Sequence, residues 1–143
     1  ENGESDTALN NFDQSLKIAR EIDYKLMIVI NLGNKGLLSL DRGDLENALK
    51  SFNEAVDTSK IITYSFGEAI NYGNIGLVYK QKGDYDKALY YHNKALEIHK
   101  RIKNMLEVAI QLENIAKIYE KIGEKTKAEI KRNEANEIRT KFT

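Results

Sequence analysis

The sequence predicts an all-α chain of seven helices, and three observations predict it. First, the 143 residues contain no proline, so no segment carries a built-in helix breaker. Second, Gly3, Gly43, Gly83 and Gly123 recur every 40 residues, each followed by an acid: Glu4, Asp44, Asp84 or Glu124. Third, apolar residues between these marks recur at three- and four-residue steps, the period of a helix with one buried face.

Taken in order, the expected elements are a lone helix over 4–22, then pairs over 25–41 with 44–62, 65–81 with 84–102, and 105–121 with 124–142. The lone helix carries Leu9, Phe12, Leu16 and Ile18. The helix over 25–41 holds Asn34 and Gly36, and its partner holds Ala48, Phe52 and Ala55 at fixed distances from Gly43. Over 65–81 the apolar set is Ile70, Tyr72, Ile75, Val78 and Tyr79; over 84–102 it is Tyr85, Ala88, Leu89, Tyr91, Ala95, Leu96 and Ile98. The last pair repeats the register with Asn114, Ala116, Ala128 and Ala135. Its final helix is more polar, as Lys127–Glu134 shows, and suits a capping end that faces water. Each glycine is expected in the left-handed conformation that ends one helix, with Asp84 and its equivalents capping the next.

Composition narrows the function. Twenty-two basic side chains balance 22 acidic ones, which argues against a general grip on nucleic acid or an anionic membrane. The balance conceals a gradient: residues 1–63 hold 7 basic and 11 acidic side chains, and residues 64–143 hold 15 and 11. Cysteine is absent, which removes disulfides, thiolate nucleophiles and Cys-ligated metals. The longest apolar run, Leu26–Ile30, is far short of the roughly 20 residues that span a bilayer. The acidic start lacks an initiator methionine and reads as a cut inside a longer protein, with a cytoplasmic setting expected.

No constellation for chemistry stands out. His92 and His99 fall on one helix, seven residues and so roughly 10 Å apart, too far to share a metal. His92 takes the place of Phe52 in its repeat, so a packing role is expected. Gly33-x2-Gly36 and Gly73-x2-Gly76 lie inside helices and are expected to serve close packing rather than phosphate binding. The chain is expected to be no enzyme and to need no cofactor or metal.

The repeat resembles the tetratricopeptide family. The family's aromatic-x2-Leu-Gly-x2-Tyr followed by Ala-x3-Phe appears as Tyr72-x2-Ile75-Gly76-x2-Tyr79 with Ala88-x3-His92. It appears again as Leu112-x2-Ile115-Ala116-x2-Tyr119 with Ala128-x3-Arg132, and as Leu32-x2-Lys35-Gly36-x2-Ser39 with Ala48-x3-Phe52. The period of 40 rather than 34, and the missing proline, look like the long-helix subtype of LGN/Pins scaffolds, kinesin light chains and prokaryotic signalling arrays. The resemblance implies a right-handed α–α superhelix. It divides the chain into the second helix of a truncated repeat (1–23) and repeats at 24–63, 64–103 and 104–143.

In such proteins first helices line a concave groove, with one side chain per repeat aimed into it; here that position is Asn34, Asn74 and Asn114. An amide offers a donor and an acceptor and suits the backbone of an extended peptide. Bonds to neighbouring helices within the array are the alternative use of the same amides. Gly33 and Gly73 would leave room for a ligand backbone, and Ile30, Ile70, Ile110, Leu37 and Leu77 would supply an apolar floor. Lys80, Lys117 and Lys121 fall towards one end. The family's clamp for a C-terminal carboxylate needs cations where Gly33, Ile110 and Asn114 stand, so an internal peptide segment fits better.

Two uses follow from the resemblance, a scaffold that binds a peptide or partner protein and a sensory arm that answers a peptide or small ligand; the lone helix suggests a third, a self-associating array. For the last, Leu9, Phe12, Leu16 and Ile18 of the lone helix are expected to stay partly uncovered and to meet another copy.

Overall fold

A computed structural model describes residues 2–142, with side chains from Gly3 onward. These residues form seven helices and, among them, no strand: α1 (Asn2–Glu21), α2 (Lys25–Asp41), α3 (Leu45–Ile61), α4 (Ser65–Gln81), α5 (Tyr85–Arg101), α6 (Met105–Lys121) and α7 (Lys125–Phe142). The expected helix map holds to within two residues at every end. No helix among the described residues is long and apolar enough to cross a membrane.

All six turns share one geometry, and this makes the array regular. Gly43, Gly83 and Gly123 have φ of 76°, 77° and 83°, as their position after a helix end requires. Asp23, Thr63 and Lys103 take the same left-handed conformation at φ of 54°, 55° and 58°, also 40 residues apart. In each turn the next residue's N–H reaches five residues back, as in Asp44 to Ser39 (2.9 Å) and Tyr64 to Ser59 (2.8 Å). The following helix is then capped where chemistry permits: Asp44 accepts from the Asn47 N–H, Asp84 from Lys87 and Asn104 from Glu107. Gly3 departs from this pattern, because it lies inside α1 with no earlier helix among the described residues to terminate.

The hairpins α2–α3, α4–α5 and α6–α7 stack through α3 on α4 and α5 on α6, and α1 packs on α2. This is an α–α superhelix whose core runs continuously along the stack. Leu16, Ile28, Val29, Leu32 and Ala55 bury one section; Leu40, Phe52, Val56, Tyr72, Ile75 and Val78 the next; Leu96, Val108, Leu112 and Ile115 the last. The small residues allow the close approach. A Cβ on Gly36 would stand 2.5 Å from the Phe52 ring, and one on Gly76 would stand 2.7 Å from the His92 ring.

The lone helix is covered in part. Leu16 is 2% exposed and belongs to the core against α2, and Leu9 and Phe12 on the same stripe are half-buried. Ile18, 58% exposed, points elsewhere, so these four side chains do not form one uncovered face. Polar contacts hold the same docking: the Asn31 amide donates to Ser15 Oγ at 2.8 Å, and Arg42 pairs with Asp6 at 2.8 Å.

Candidate binding groove on the first helices

The first helices α2 and α4 lie side by side and enclose a groove of about 170 Å³. Ile30, Gly33, Asn34 and Leu37 come from α2, and Ile70 and Asn74 from α4, so six of the expected residues converge. Val29, Tyr64, Phe66, Gly67 and Asn71 complete it. Leu77 and Lys80 instead line a second hollow with Leu40 and Asp41 at the C-terminal ends of α2 and α4. Ile110, Asn114, Lys117 and Lys121 lie on α6, outside both hollows, where Ile110 and the two lysines are exposed.

One apolar column went unnoticed in the sequence. Leu26, Phe66 and Leu106 share a register position, and all three are exposed; they run beside the column of Ile30, Ile70 and Ile110. The same 40-residue spacing that marks the asparagines would have found them. Phe66 is steadied by Tyr64 (ring centroids 6.0 Å apart) and by the edge of His99 (6.2 Å).

The glycines require a correction. A Cβ on Gly33 would meet Asn71 Oδ1 at 3.4 Å, and one on buried Gly73 would meet the Gln111 amide at 3.0 Å. At Gly73 the space is taken up by the Gln111 amide from the next first helix, whereas Gly33 makes ordinary contact with Asn71 and still lines the groove.

Asn31, Asn71 and Gln111 thus form a buried polar column three residues before the expected asparagines. It carries the bonding within the array that was the alternative use for Asn34, Asn74 and Asn114. The Asn31 amide donates to Ser15 Oγ on α1 and the His92 Nδ1–H of α5 donates to Gln111 Oε1, both at 2.8 Å, whereas Asn71 Nδ2 donates to the Gly67 carbonyl of its own helix at 2.8 Å. Of the expected set, Asn34 is exposed, while Asn74 and Asn114 are half-buried. Two groups in the groove wall are buried without a partner: the Asn71 Oδ1 acceptor and the Asn74 Nδ2 donor.

Burial pushes the His92 imidazole down, with the Gln111 bond opposing and the Lys80 charge adding, and burial alone pushes His99 down. Burial raises the Glu107 carboxyl, against the Gln111 side chain. No group of three or more metal-ligating side chains occurs among the described residues.

Two tetratricopeptide repeat models match the chain, over residues 67–141 and 31–60. Solved structures with the same fold include BtubC (BKLC) from P. vanneervenii, 23% identical with a TM-score of 0.87 over 98% of this chain and 58% of that one. The apo form of RapI is 24% identical with a TM-score of 0.88, over 96% of this chain and 50% of that one. The TPR domain of Arabidopsis FLU is 22% identical with a TM-score of 0.73, over 83% of this chain and 99% of that one. The chain thus spans only half to three-fifths of the first two. No curated protein matches the sequence.

Proposed function

Since the chain belongs to the tetratricopeptide repeat family, whose repeats are protein-interaction scaffolds, we propose that it takes an extended segment of a partner protein in the groove between α2 and α4. The observation that carries this reading is the unpartnered acceptor and donor pair, Asn71 Oδ1 and Asn74 Nδ2, set in an otherwise apolar wall. A peptide unit offers one N–H and one C=O, the complement of that pair. Ile30, Leu37, Phe66 and Ile70 then meet the peptide's apolar side chains, and Asn34 adds a second amide at the rim. Asn114 and Ile110 continue the same columns along α6, so a longer segment would extend that way.

A peptide array probed with the wild-type chain and with Asn34→Ala, Asn74→Ala, Asn114→Ala and Ile70→Asp tests this. Peptides that bind should be extended and apolar at alternate positions. Each lost amide should weaken binding about two- to tenfold, the equivalent of 0.5–1.5 kcal/mol per bond, and Ile70→Asp should abolish it. Undiminished binding by the triple asparagine variant would remove the groove from consideration.

A further inference from the structure

A second surface lies among the second helices, and the internal repeat shows what is unusual about it. Between α1 and α3, over the floor of α2, runs a furrow lined by Leu16, Arg20, Leu32, Lys50, Ser51 and Glu54. There Arg20 and Glu54 face each other in a 2.6 Å ion pair. Forty residues on, the same places between α3 and α5 hold Val56, Lys60, Tyr72, Tyr90, Tyr91 and Lys94. Glutamate has become lysine, so two cations stand where an ion pair stood. In the last copy the register restores the opposite charges, with Lys100 and Glu134. Only the middle furrow lacks its acid.

The lysines do converge. Lys60 Nζ from α3 lies 5.5 Å from the Tyr72 ring centroid, and Lys94 Nζ from α5 lies 4.7 Å from it and 5.1 Å from that of Tyr90. Among the described residues neither makes an ion pair; Glu68 is the one carboxylate whose charge is felt, at Lys60 alone. The Tyr72 hydroxyl pushes Lys60 above the usual lysine range and the Tyr90 hydroxyl does the same for Lys94, so both stay charged near neutral pH despite their mutual repulsion. Ring faces beneath an ammonium lower the cost of holding it there, yet they leave its charge uncancelled. Tyr90 is more than half exposed and T-stacked on Tyr91 at 5.1 Å, which leaves an aromatic face beside Lys94 open to solvent.

We propose that the furrow between α3 and α5 receives a carboxylate side chain from an acidic peptide segment of a partner, which takes the place that Glu54 occupies in the furrow before it. Lys60 and Lys94 supply charge-assisted bonds to its two oxygens, and Tyr90 packs against the stem that carries them. The site is separate from the groove between α2 and α4 and does not rest on it.

The test is amide NMR titration of the whole chain with octaglutamate, with octaglutamine as the neutral control and inorganic phosphate as a free anion. Saturable shifts at Lys60, Tyr72, Tyr90 and Lys94 with octaglutamate alone, fading as salt is raised, are the expected result. Lys94→Glu rebuilds the ion pair of the preceding furrow, so it should lower affinity at least tenfold while leaving the melting temperature equal or higher. Lys60→Gln should weaken binding in the same direction, and Asn74→Ala should leave it unchanged. Full binding by Lys94→Glu, shifts confined to α2 and α4, or saturation by phosphate with no response to peptide would each overturn the proposal.

Discussion

The hairpin α2–α3 and the hairpin α4–α5 share a backbone plan and differ in what fills it. In the first, Gly36 lies against the Phe52 ring, and that side chain is wholly buried among apolar neighbours. In the second, Gly76 lies against His92, equally buried, whose Nδ1–H reaches Gln111 on the next hairpin. One slot thus accepts either ring, but only the imidazole adds a directed bond across the repeat boundary. In α6–α7 the slot holds Ala116 and Arg132, and Arg132 turns out to Glu120 at 2.9 Å, because no further hairpin among the described residues covers it. Shape is conserved along the stack, and chemistry follows what packs next.

The largest effect that separates the two hairpins should come from Phe52→Ala, which empties the first slot. It should cost about 3–5 kcal/mol by urea denaturation, whereas His92→Ala should cost less, because it also removes an imidazole nitrogen buried without a partner, which outweighs the Gln111 oxygen left unpaired. Next, Gly36→Ala drives a methyl into the Phe52 ring and should cost about 1–3 kcal/mol. Gly76→Ala should fall at the lower end of that range, since its ring stands slightly farther away. Equal costs at the two glycines would break the distinction.

A third measurement uses acid. His92 and His99 are held below their usual pKa in the folded chain, so the unfolded chain binds protons first as pH falls below about 6.5. Stability is therefore complete above that value and is lost as pH falls through the lowered folded pKa values. His92→Phe together with Gln111→Leu copies the first hairpin's apolar filling. It should match the wild-type urea midpoint near pH 7.5, because both bonding partners go together, and should reduce the acid limb to the part that His99 supplies. His92→Phe alone should be weaker by about 1–3 kcal/mol, the cost of a buried amide left unpaired.

The smallest effect concerns the turns that enter the hairpins. Asp23 leads into α2 and Thr63 into α4, both left-handed, but a β-branched residue is strained there and aspartate much less so. Thr63→Gly should raise stability by about 0.5–1 kcal/mol, read as a higher melting temperature, and Asp23→Gly should change it less.

Much of this molecule was legible in the chain because the repeat acts as an internal alignment. Gly43, Gly83 and Gly123 marked three turns, Asp44 and Asp84 marked caps, and the aromatic and alanine positions marked the buried faces. The turns at Asp23, Thr63 and Lys103 were harder to see, since three unlike residues adopt one conformation that their side chains do not advertise. For the groove, the columns at Ile30 and Asn34 were legible, but the amides at Asn31, Asn71 and Gln111 were not distinguishable from them. Both sets are polar residues on the same helices three positions apart, about 60° around the axis. Which one turns inward depends on the angle at which α2, α4 and α6 cross.

The sequence by itself determined the number of helices, their ends and the pairing of each with its neighbour, because local periodicity and turn chemistry act over a few residues. Tertiary structure decided which amides are buried, that the space at Gly73 is filled by Gln111, that Leu16 is already covered, and that Lys60 and Lys94 meet over one tyrosine. Each of those outcomes depends on separate helices brought together, where packing geometry and desolvation, not local preference, set which side chain faces which.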